Sequence, residues 1–283
     1  MILAPETAAV AFGLFASLSW GVSDFSGGVA TRRISVIGVV GISHLIGLAL
    51  IIAFALASSE PIPSGEDFVW GALAGLAGLV GVGALYRALA VGRMGIAAPT
   101  AAVLSAVLSA GFGILLEGLP APTRLIGFGL GIASIWFVSY SRGALRESRG
   151  IGLAALAGVG FAVFLILIDR VSSGALFWPL VAARAASSFV MLAAALFTRQ
   201  RWMPSGRNLW ITVFLAGLLD VAGNVFFMMA TQAGRLDIAA IVSSMYPAIT
   251  VLLARFMLKE HVTRLQALGL GAALLAISLI TLS

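Results

Sequence analysis

The sequence contains no cysteine, which excludes disulfide bonds, thiol catalysis and metal sites built on cysteine. Charged residues are also scarce, because Asp, Glu, Lys and Arg make up only 10% of the chain. A soluble domain carries about 25%. Hydrophobic residues, in contrast, make up 61%. We therefore expect lipid, rather than water, to surround most of this protein.

Motifs for nucleotides, metals and nucleic acids are missing as well. The chain has no Walker motif, so ATP-driven transport by this chain is excluded. No second His or Cys stands at ligand spacing from His44, so we expect no metal and no other cofactor. The net charge of +6 is spread over arginines in short loops and forms no basic face for nucleic acid.

Long apolar runs, separated by charged residues or by Pro, Gly and Ser, follow one another along the chain. Crossing a hydrocarbon layer of ~30 Å takes roughly 20 mostly apolar residues, and in lipid such runs form helices. Ten runs qualify: 8–29, 36–57, 69–90, 95–116, 123–141, 150–168, 175–197, 210–231, 237–258 and 263–282. The first lacks a basic leader, so we interpret it as a span and not as a signal peptide. The sequence thus predicts a multi-pass, all-α protein of the bacterial inner membrane with ten transmembrane helices.

The basic residues of the loops predict an orientation. The loops after spans one, three, five, seven and nine contain Arg32, Arg33, Arg93, Arg142, Arg146, Arg149, Arg199, Arg201, Arg207, Lys259 and Arg264. The opposite loops contain only Arg124, Arg170 and Arg235. Because basic loops stay in the cytoplasm, we expect both termini to lie outside.

The two halves of the sequence resemble each other. The matching segments are LAGLAGLVG from Leu73 and LAGLLDVAG from Leu215, GRMGIAA from Gly92 and GRLDIAA from Gly234, and TRLIGFGLG from Thr123 and TRLQALGLG from Thr263. Their shared order indicates a duplication, with repeats at 1–143 and 149–283. Five spans per repeat is an odd number, so the second repeat is expected to be inverted in the membrane, as in many secondary transporters.

Several short motifs resemble those of one known family. They are Trp20–Gly21 late in the first span, Pro247 early in the ninth, Lys259–Glu260 at its end, and Gln266 with Gly269 at the start of the tenth. This pattern is similar to the EamA family of the drug/metabolite transporter superfamily. The resemblance implies ten helices in two inverted halves and the export of amino acids or other metabolites, with amino-acid exporters of the YddG type as the closest functional picture. The first half departs from the pattern, since Ser105 stands opposite Pro247 and Ile126 opposite Gln266.

Ionisable residues within spans are candidates for function, because burying them in lipid costs several kcal/mol unless they are paired or hydrated. Asp24 is expected to contact a substrate amine or a proton, or else to pair with Arg32 or Arg33 or to cap the backbone at the helix end. Arg184 lies in the middle of span seven, where we expect it to hold a substrate carboxylate or to brace the helices against Asp220 or helix-end carbonyls. His44 occupies the position of span two that matches Arg184.

Other polar and aromatic side chains extend this candidate site. Asp220 and Asn224 are four residues apart and share one face of span eight. Pro247 frees a backbone carbonyl in span nine beside hydroxyl groups. Trp20 and Tyr86 are expected to stack on a substrate, to form a gate or to anchor the span ends. The predicted substrate-binding set is Trp20, Asp24, His44, Tyr86, Arg184, Asp220, Asn224, Ser243 and Tyr246, with no catalytic and no metal-binding residue.

These features predict a secondary transporter and not an enzyme. We expect it to export amino acids, aromatic ones included, or related small metabolites by alternating access. An intramembrane enzyme acting on a lipid-linked substrate would need clustered acid and base groups near one interface. A channel or scaffold subunit remains the third possibility. The expected partners are a small-molecule substrate and the lipid bilayer, and the sequence does not indicate an oligomeric state.

Overall fold

The computed structural model describes residues 5–91, 94–139, 150–198, 202–257 and 264–281. These residues form helices joined by short turns. The helices are α1 (Pro5–Thr31), α2 (Val36–Ala57), α3 (Gly65–Val91), α4 (Met94–Glu117), α5 (Pro122–Ser139), α6 (Ile151–Ile168), α7 (Phe177–Phe197), α8 (Arg207–Ala233), α9 (Leu236–Ser243), α10 (Tyr246–Met257) and α11 (Arg264–Thr281). The loop residues Arg142, Arg146 and Arg149, and the Lys259–Glu260 pair, lie outside the described residues.

All ten predicted spans fall on helices, but the ninth falls on two of them. The chain leaves the helical path after Ser243 and resumes it at Tyr246. Pro247 lacks a backbone N–H and its ring clashes with the preceding turn, which accounts for the break. Within the described ranges, seven helices are long and apolar enough to cross a membrane: the helices Pro5–Thr31, Val36–Ala57, Phe177–Phe197, Arg207–Ala233 and Ile151–Ile168, and the segments Gly65–Ala88 and Thr100–Glu117.

The ends of these helices follow local sequence signals. The Ser35 hydroxyl caps α2 by accepting a hydrogen bond from the backbone N–H of Gly38, at 3.1 Å. Gly118 follows α4 with a backbone φ of +83°, a left-handed conformation that favours glycine. These short turns hold consecutive helices close together, so that the polar residues of different spans meet.

Helix packing is symmetric under exchange of the two halves. Helix α1 packs on α8, and α6, the corresponding helix of the second half, packs on α3. Helices α2 and α7 pack on each other, as do α5 and α11. Helix α4 packs on α6, just as α9 and α10 pack on α1. This is the contact pattern expected of two halves related by a twofold axis, with the first helix of each half placed against the third helix of the other.

Polar contacts tie the loops together at one end of the molecule. Glu60, between α2 and α3, accepts hydrogen bonds from the backbone N–H groups of Leu176 (3.0 Å) and Phe177 (2.9 Å) at the start of α7. Asp67 accepts one from the backbone N–H of Ser172, at 2.7 Å. A carboxylate at a helix N-terminus also compensates the helix dipole. The two halves are therefore joined by charge-assisted hydrogen bonds at this end.

Candidate functional site

A cavity lies between the two halves of the helix bundle. Its volume, counted as the space open to the centres of water molecules, is about 70 Å³, which holds several waters at roughly 10–15 Å³ each. Its wall consists of Trp20, Asp24, His44, Gly75, Gly78, Leu79, Val82, Ser105, Phe161, Phe164, Leu165, Ala183, Arg184, Ser187, Asp220, Asn224, Ser244 and Tyr246. Both halves of the chain therefore contribute to one shared site.

An ion pair joins α7 to α8 at the wall of the cavity. The Arg184 guanidinium donates a hydrogen bond from Nη2 to Oδ2 of Asp220. The side chain of Arg184 is only 7% exposed, whereas that of Asp220 is 20% exposed. Burying either charge alone would be costly, and the pair avoids that cost. Arg184 thus makes the contact that the bracing role requires, and this role remains a prediction.

A hydrogen-bonded chain fixes the orientation of the His44 ring. The Ser187 hydroxyl donates to the backbone carbonyl of Arg184, at 3.2 Å, and lies 2.9 Å from Nδ1 of His44. The direction of the His44–Ser187 hydrogen bond depends on which ring nitrogen of His44 carries the proton. The contact holds the imidazole in place at the wall of the cavity.

A second polar contact joins α1 to α8. Trp20 donates a hydrogen bond from Nε1 to Oδ1 of Asn224, at 3.1 Å. Because an indole N–H can only donate, the Asn224 amide must turn its oxygen towards Trp20 and its NH₂ group away. Gly223 makes the contact possible, since a Cβ there would overlap the Trp20 ring. Asn224 therefore keeps two N–H donors for another partner.

Several polar groups of the wall have no hydrogen-bond partner in the described part of the chain, among them the Tyr246 hydroxyl and the Asp24 carboxyl group. The Tyr246 hydroxyl is buried and unpaired, and Tyr246 as a whole is 6% exposed. The Asp24 carboxylate makes neither a hydrogen bond nor an ion pair with the described residues, so the expected pairing with Arg32 or Arg33 is not observed there. Buried polar groups are normally satisfied, and exceptions need an explanation. A ligand in the cavity would provide one.

The opposite side of the cavity is apolar. Phe161, Phe164 and Leu165 of α6 face it together with Leu79 and Val82 of α3. Phe164 is 7% exposed and Leu165 is 3% exposed, so this wall is firmly packed behind the cavity surface. The cavity thus combines a polar side with an apolar side, the usual composition of a small-molecule site.

Seven of the nine predicted site residues lie in this wall: Trp20, Asp24, His44, Arg184, Asp220, Asn224 and Tyr246. The other two lie elsewhere. The Tyr86 hydroxyl packs against Gly27 of α1, where a Cβ would collide with it. Ser243 is fully buried in α9 and donates to the carbonyl of Ala240, at 3.3 Å. Its neighbour Ser244, at the helix break, faces the cavity instead.

Sequence reasoning missed the apolar wall and several hydroxyl groups. Phe161 and Phe164 are ordinary apolar residues of a span, with nothing to separate them from residues that face lipid. Ser187 lies three residues after Arg184 and therefore on the same face of α7, a spacing that was available as a signal. Ser105 stands opposite Pro247 in the repeat, so the alignment of the halves also pointed to it.

Comparisons with known proteins identify the family. No curated protein matches the chain. A solved structure, described only as "Crystal structure of protein", is similar in fold with a TM-score of 0.77 and 19% sequence identity, over 98% of this chain and 97% of its own. The model of the EamA-like transporter family matches twice, at residues 7–140 and 148–282. This protein, a multi-pass membrane transporter of small substrates, therefore belongs to the EamA-like transporter family.

Proposed function

We propose that the protein is a secondary transporter of the bacterial inner membrane that exports amino acids, aromatic ones included, or related small metabolites. The observation that carries this proposal is the two-sided cavity, with unpaired polar groups on one side and aromatic and aliphatic groups on the other. Such a cavity suits a small molecule with a polar head and an apolar body.

The polar side offers groups that are complementary to an amino acid. The Asp24 carboxylate suits an ammonium group, and a charge-assisted hydrogen bond of this kind is about twice as strong as a neutral one. The free NH₂ group of Asn224 suits an oxygen of the substrate. The apolar wall of Phe161 and Phe164 suits its side chain.

Alternating access provides the mechanism. Two inverted halves form a cavity that opens to one side and then to the other as the halves rock against each other. The carboxylates Glu60 and Asp67 hold the halves together at one end, and we assign that end to the outside, following the charge of the loops. The break before Pro247 supplies a position in the wall of the cavity where a helix can bend. Neither an enzyme nor a channel has a comparable observation in its favour.

The test is transport in reconstituted vesicles. Purified protein is placed in proteoliposomes loaded in turn with each of the twenty amino acids in radiolabelled form, and efflux is measured with and without a pH gradient. We expect efflux of a subset of the amino acids and its loss in Asn224→Ala and Tyr246→Ala. Phe189→Ala is the matched control, since Phe189 is 74% exposed on the outer surface of α7. No efflux of any amino acid above protein-free vesicles would contradict the proposal.

A further inference from the structure

The guanidinium of Arg184 uses only part of its hydrogen-bonding capacity. A guanidinium has five N–H donors and is always charged in proteins. Towards the described residues, the Arg184 side chain makes one hydrogen bond, from Nη2 to Asp220. Its Nε and Nη1 have no partner among those residues, yet neither nitrogen is closed off by protein atoms, and Arg184 lines the cavity. Most of its N–H donors are therefore open to a ligand.

A second group of donors lies one helical turn away. Asp220 and Asn224 are four residues apart on α8, which places their side chains on the same face of the helix. The indole N–H of Trp20 occupies Oδ1 of Asn224, so the amide NH₂ group points away from Trp20. Arg184, Asp220 and Asn224 all line the cavity. The guanidinium on Asp220 and the NH₂ group of Asn224 therefore present N–H donors to the same stretch of the wall.

We propose that the Arg184 guanidinium and the Asn224 amide together bind the carboxylate of an amino-acid substrate. This inference rests on the proposed function and adds the residues that recognise the acid group. A carboxylate can accept two parallel N–H bonds from a guanidinium, and such charge-assisted bonds are about twice as strong as neutral ones. A charged donor left without a partner in the protein interior is costly, and a bound carboxylate removes that cost as well.

The observed ion pair leaves room for this role. A brace between α7 and α8 would be strongest as a bidentate pair, in which two N–H groups meet both oxygens of the carboxylate. The hydrogen bond between Arg184 and Asp220 uses Nη2 and Oδ2 alone. Holding the helices together and binding a ligand therefore use different N–H groups, and the contact with Asp220 keeps the guanidinium at the cavity wall.

The charges of the complex favour an α-amino acid over a simple carboxylic acid. Arg184 and Asp220 cancel each other, so a carboxylate without a cation would add an uncompensated charge within the membrane span, which is costly. An α-amino acid carries its ammonium group on the carbon atom next to the carboxylate and so brings the compensating charge with it. The ammonium group also offsets the repulsion between the substrate carboxylate and Asp220 on one guanidinium. The site therefore matches a zwitterion.

The experiment compares two probes that differ only at the carboxylate. L-Phenylalanine and L-phenylalaninamide share the ring and the ammonium group, and in the amide a neutral NH₂ group replaces one carboxylate oxygen. Their binding to the purified protein in detergent is measured by isothermal titration calorimetry at pH 6, where both probes carry the ammonium group. We expect L-phenylalanine to bind at least ten-fold more tightly, because the amide loses the charge-assisted hydrogen bonds.

Variants of the donor groups locate this preference. Asn224→Asp keeps an oxygen for Trp20 but replaces the NH₂ group by a second carboxylate oxygen, so it should weaken L-phenylalanine at least ten-fold and the amide much less. The double variant Arg184→Gln with Asp220→Asn removes the guanidinium without leaving a buried charge unpaired, and it should bring the two affinities close together. Glu66→Gln, which changes an exposed carboxylate outside the cavity, should match the unmodified protein.

The outcomes separate this inference from the proposed function. Equal affinity for the two probes, tighter binding of the amide, or binding of neither overturns the carboxylate site, even where amino-acid efflux is observed. An unchanged preference in the double variant or in Asn224→Asp also overturns it, since a purely structural role would alter both affinities alike. The comparison on the unmodified protein needs no variant, so the test holds even if a variant fails to fold. Failure of the proposed function would appear instead as absent efflux for all twenty amino acids.

Discussion

The two sides of the cavity come from corresponding helices, yet their chemistry differs. On the side of α1 and α8, Trp20 packs over Gly223 and donates to Asn224. On the side of α6 and α3, Phe161 packs over Gly81 in the same way, with no polar partner. Gly81 and Gly223 occupy the same position of the repeated motif. Duplication has therefore kept the close approach of the helices, while the side chains that line the cavity have diverged.

The same contrast continues along both pairs of helices. In the repeat, Gly78 stands opposite Asp220 and Val82 opposite Asn224, and all four residues line the cavity. Helix packing requires small residues at the crossing points, and both sides meet that requirement. Helix packing does not require the carboxylate of Asp220 or the amide of Asn224. We therefore propose that the polar side binds the substrate, and each prediction below tests this difference between the two sides.

The largest effect is expected from breaking the ion pair of the polar side. Arg184→Met leaves Asp220 as an unpaired buried carboxylate, which should lower the free energy of unfolding by about 3–5 kcal/mol and abolish transport. The double variant Arg184→Met with Asp220→Leu should recover most of that stability, because apolar groups can replace a buried pair. Unfolding in detergent by chemical denaturant measures both. Equal stability of the single variant and the original protein would show that the pair is no brace.

A smaller effect is expected from making the polar side resemble the apolar side. Asn224→Val copies Val82 and leaves the indole N–H of Trp20 without a partner, at a cost of about 1–3 kcal/mol. Adding Trp20→Phe, which copies Phe161, removes that donor and should restore much of the stability. Transport should stay low in both variants. Recovery of transport along with stability in the double variant would mean that this contact only supports the fold.

A matched pair of glycine variants compares the two crossings directly. Gly223→Ala and Gly81→Ala each push an aromatic ring out of place, at a cost of about 1–2 kcal/mol. Displacing Trp20 also breaks its hydrogen bond, so Gly223→Ala should be the more destabilising and should reduce transport more. Thermal unfolding and vesicle efflux measure the difference. Equal losses of transport would argue that close packing, and not the polar contact, matters at both crossings.

The smallest effect is expected from the carboxyl group of Asp169, which lies just outside the membrane span of α6. Asp169 directly follows α6, and burial, with a further contribution from Glu117, raises the pKa of Asp169 from 3.8 to about 6. Between these values the folded protein holds a proton that the unfolded chain has released, so stability falls as the pH rises through this window. The total is about 1 kcal/mol after allowance for partial exposure. Asp169→Asn should make the free energy of unfolding less dependent on pH without changing transport. The control variant Glu66→Gln should keep the pH dependence of the original protein. Unfolding curves measured between pH 3.8 and pH 6 would show the difference.

Much of the fold can be predicted from the sequence because lipid imposes simple rules. Apolar runs between charged breaks place the helix bounds within a few residues, as for α2, predicted and observed at 36–57. Ionisable residues in spans must face protein or a cavity. This rule selected Asp24, Arg184 and Asp220 as candidates, and all three lie in the cavity wall. The repeat then indicated which helices correspond.

Other features depend on three-dimensional packing that no local pattern encodes. Tyr86 turns towards α1 because Gly27 leaves room for its hydroxyl, a contact between residues far apart in the sequence. The break before Pro247 turns Ser244, and not Ser243, towards the cavity. Phe161 faces the cavity only because α6 packs on α3. These details follow from the way helices meet, and sequence periodicity describes each helix alone.

The central claim is that the polar side of the cavity recognises the substrate while the apolar side only encloses it. The most direct measurement compares Asn224→Ala with Val82→Ala, which shorten corresponding residues on the two sides, in efflux of a radiolabelled mixture of the twenty amino acids from proteoliposomes. We predict that Asn224→Ala loses at least ten-fold in efflux rate, about 1.4 kcal/mol or more, and that Val82→Ala stays within about two-fold. Equal losses in both variants, or a larger loss in Val82→Ala, would contradict the account.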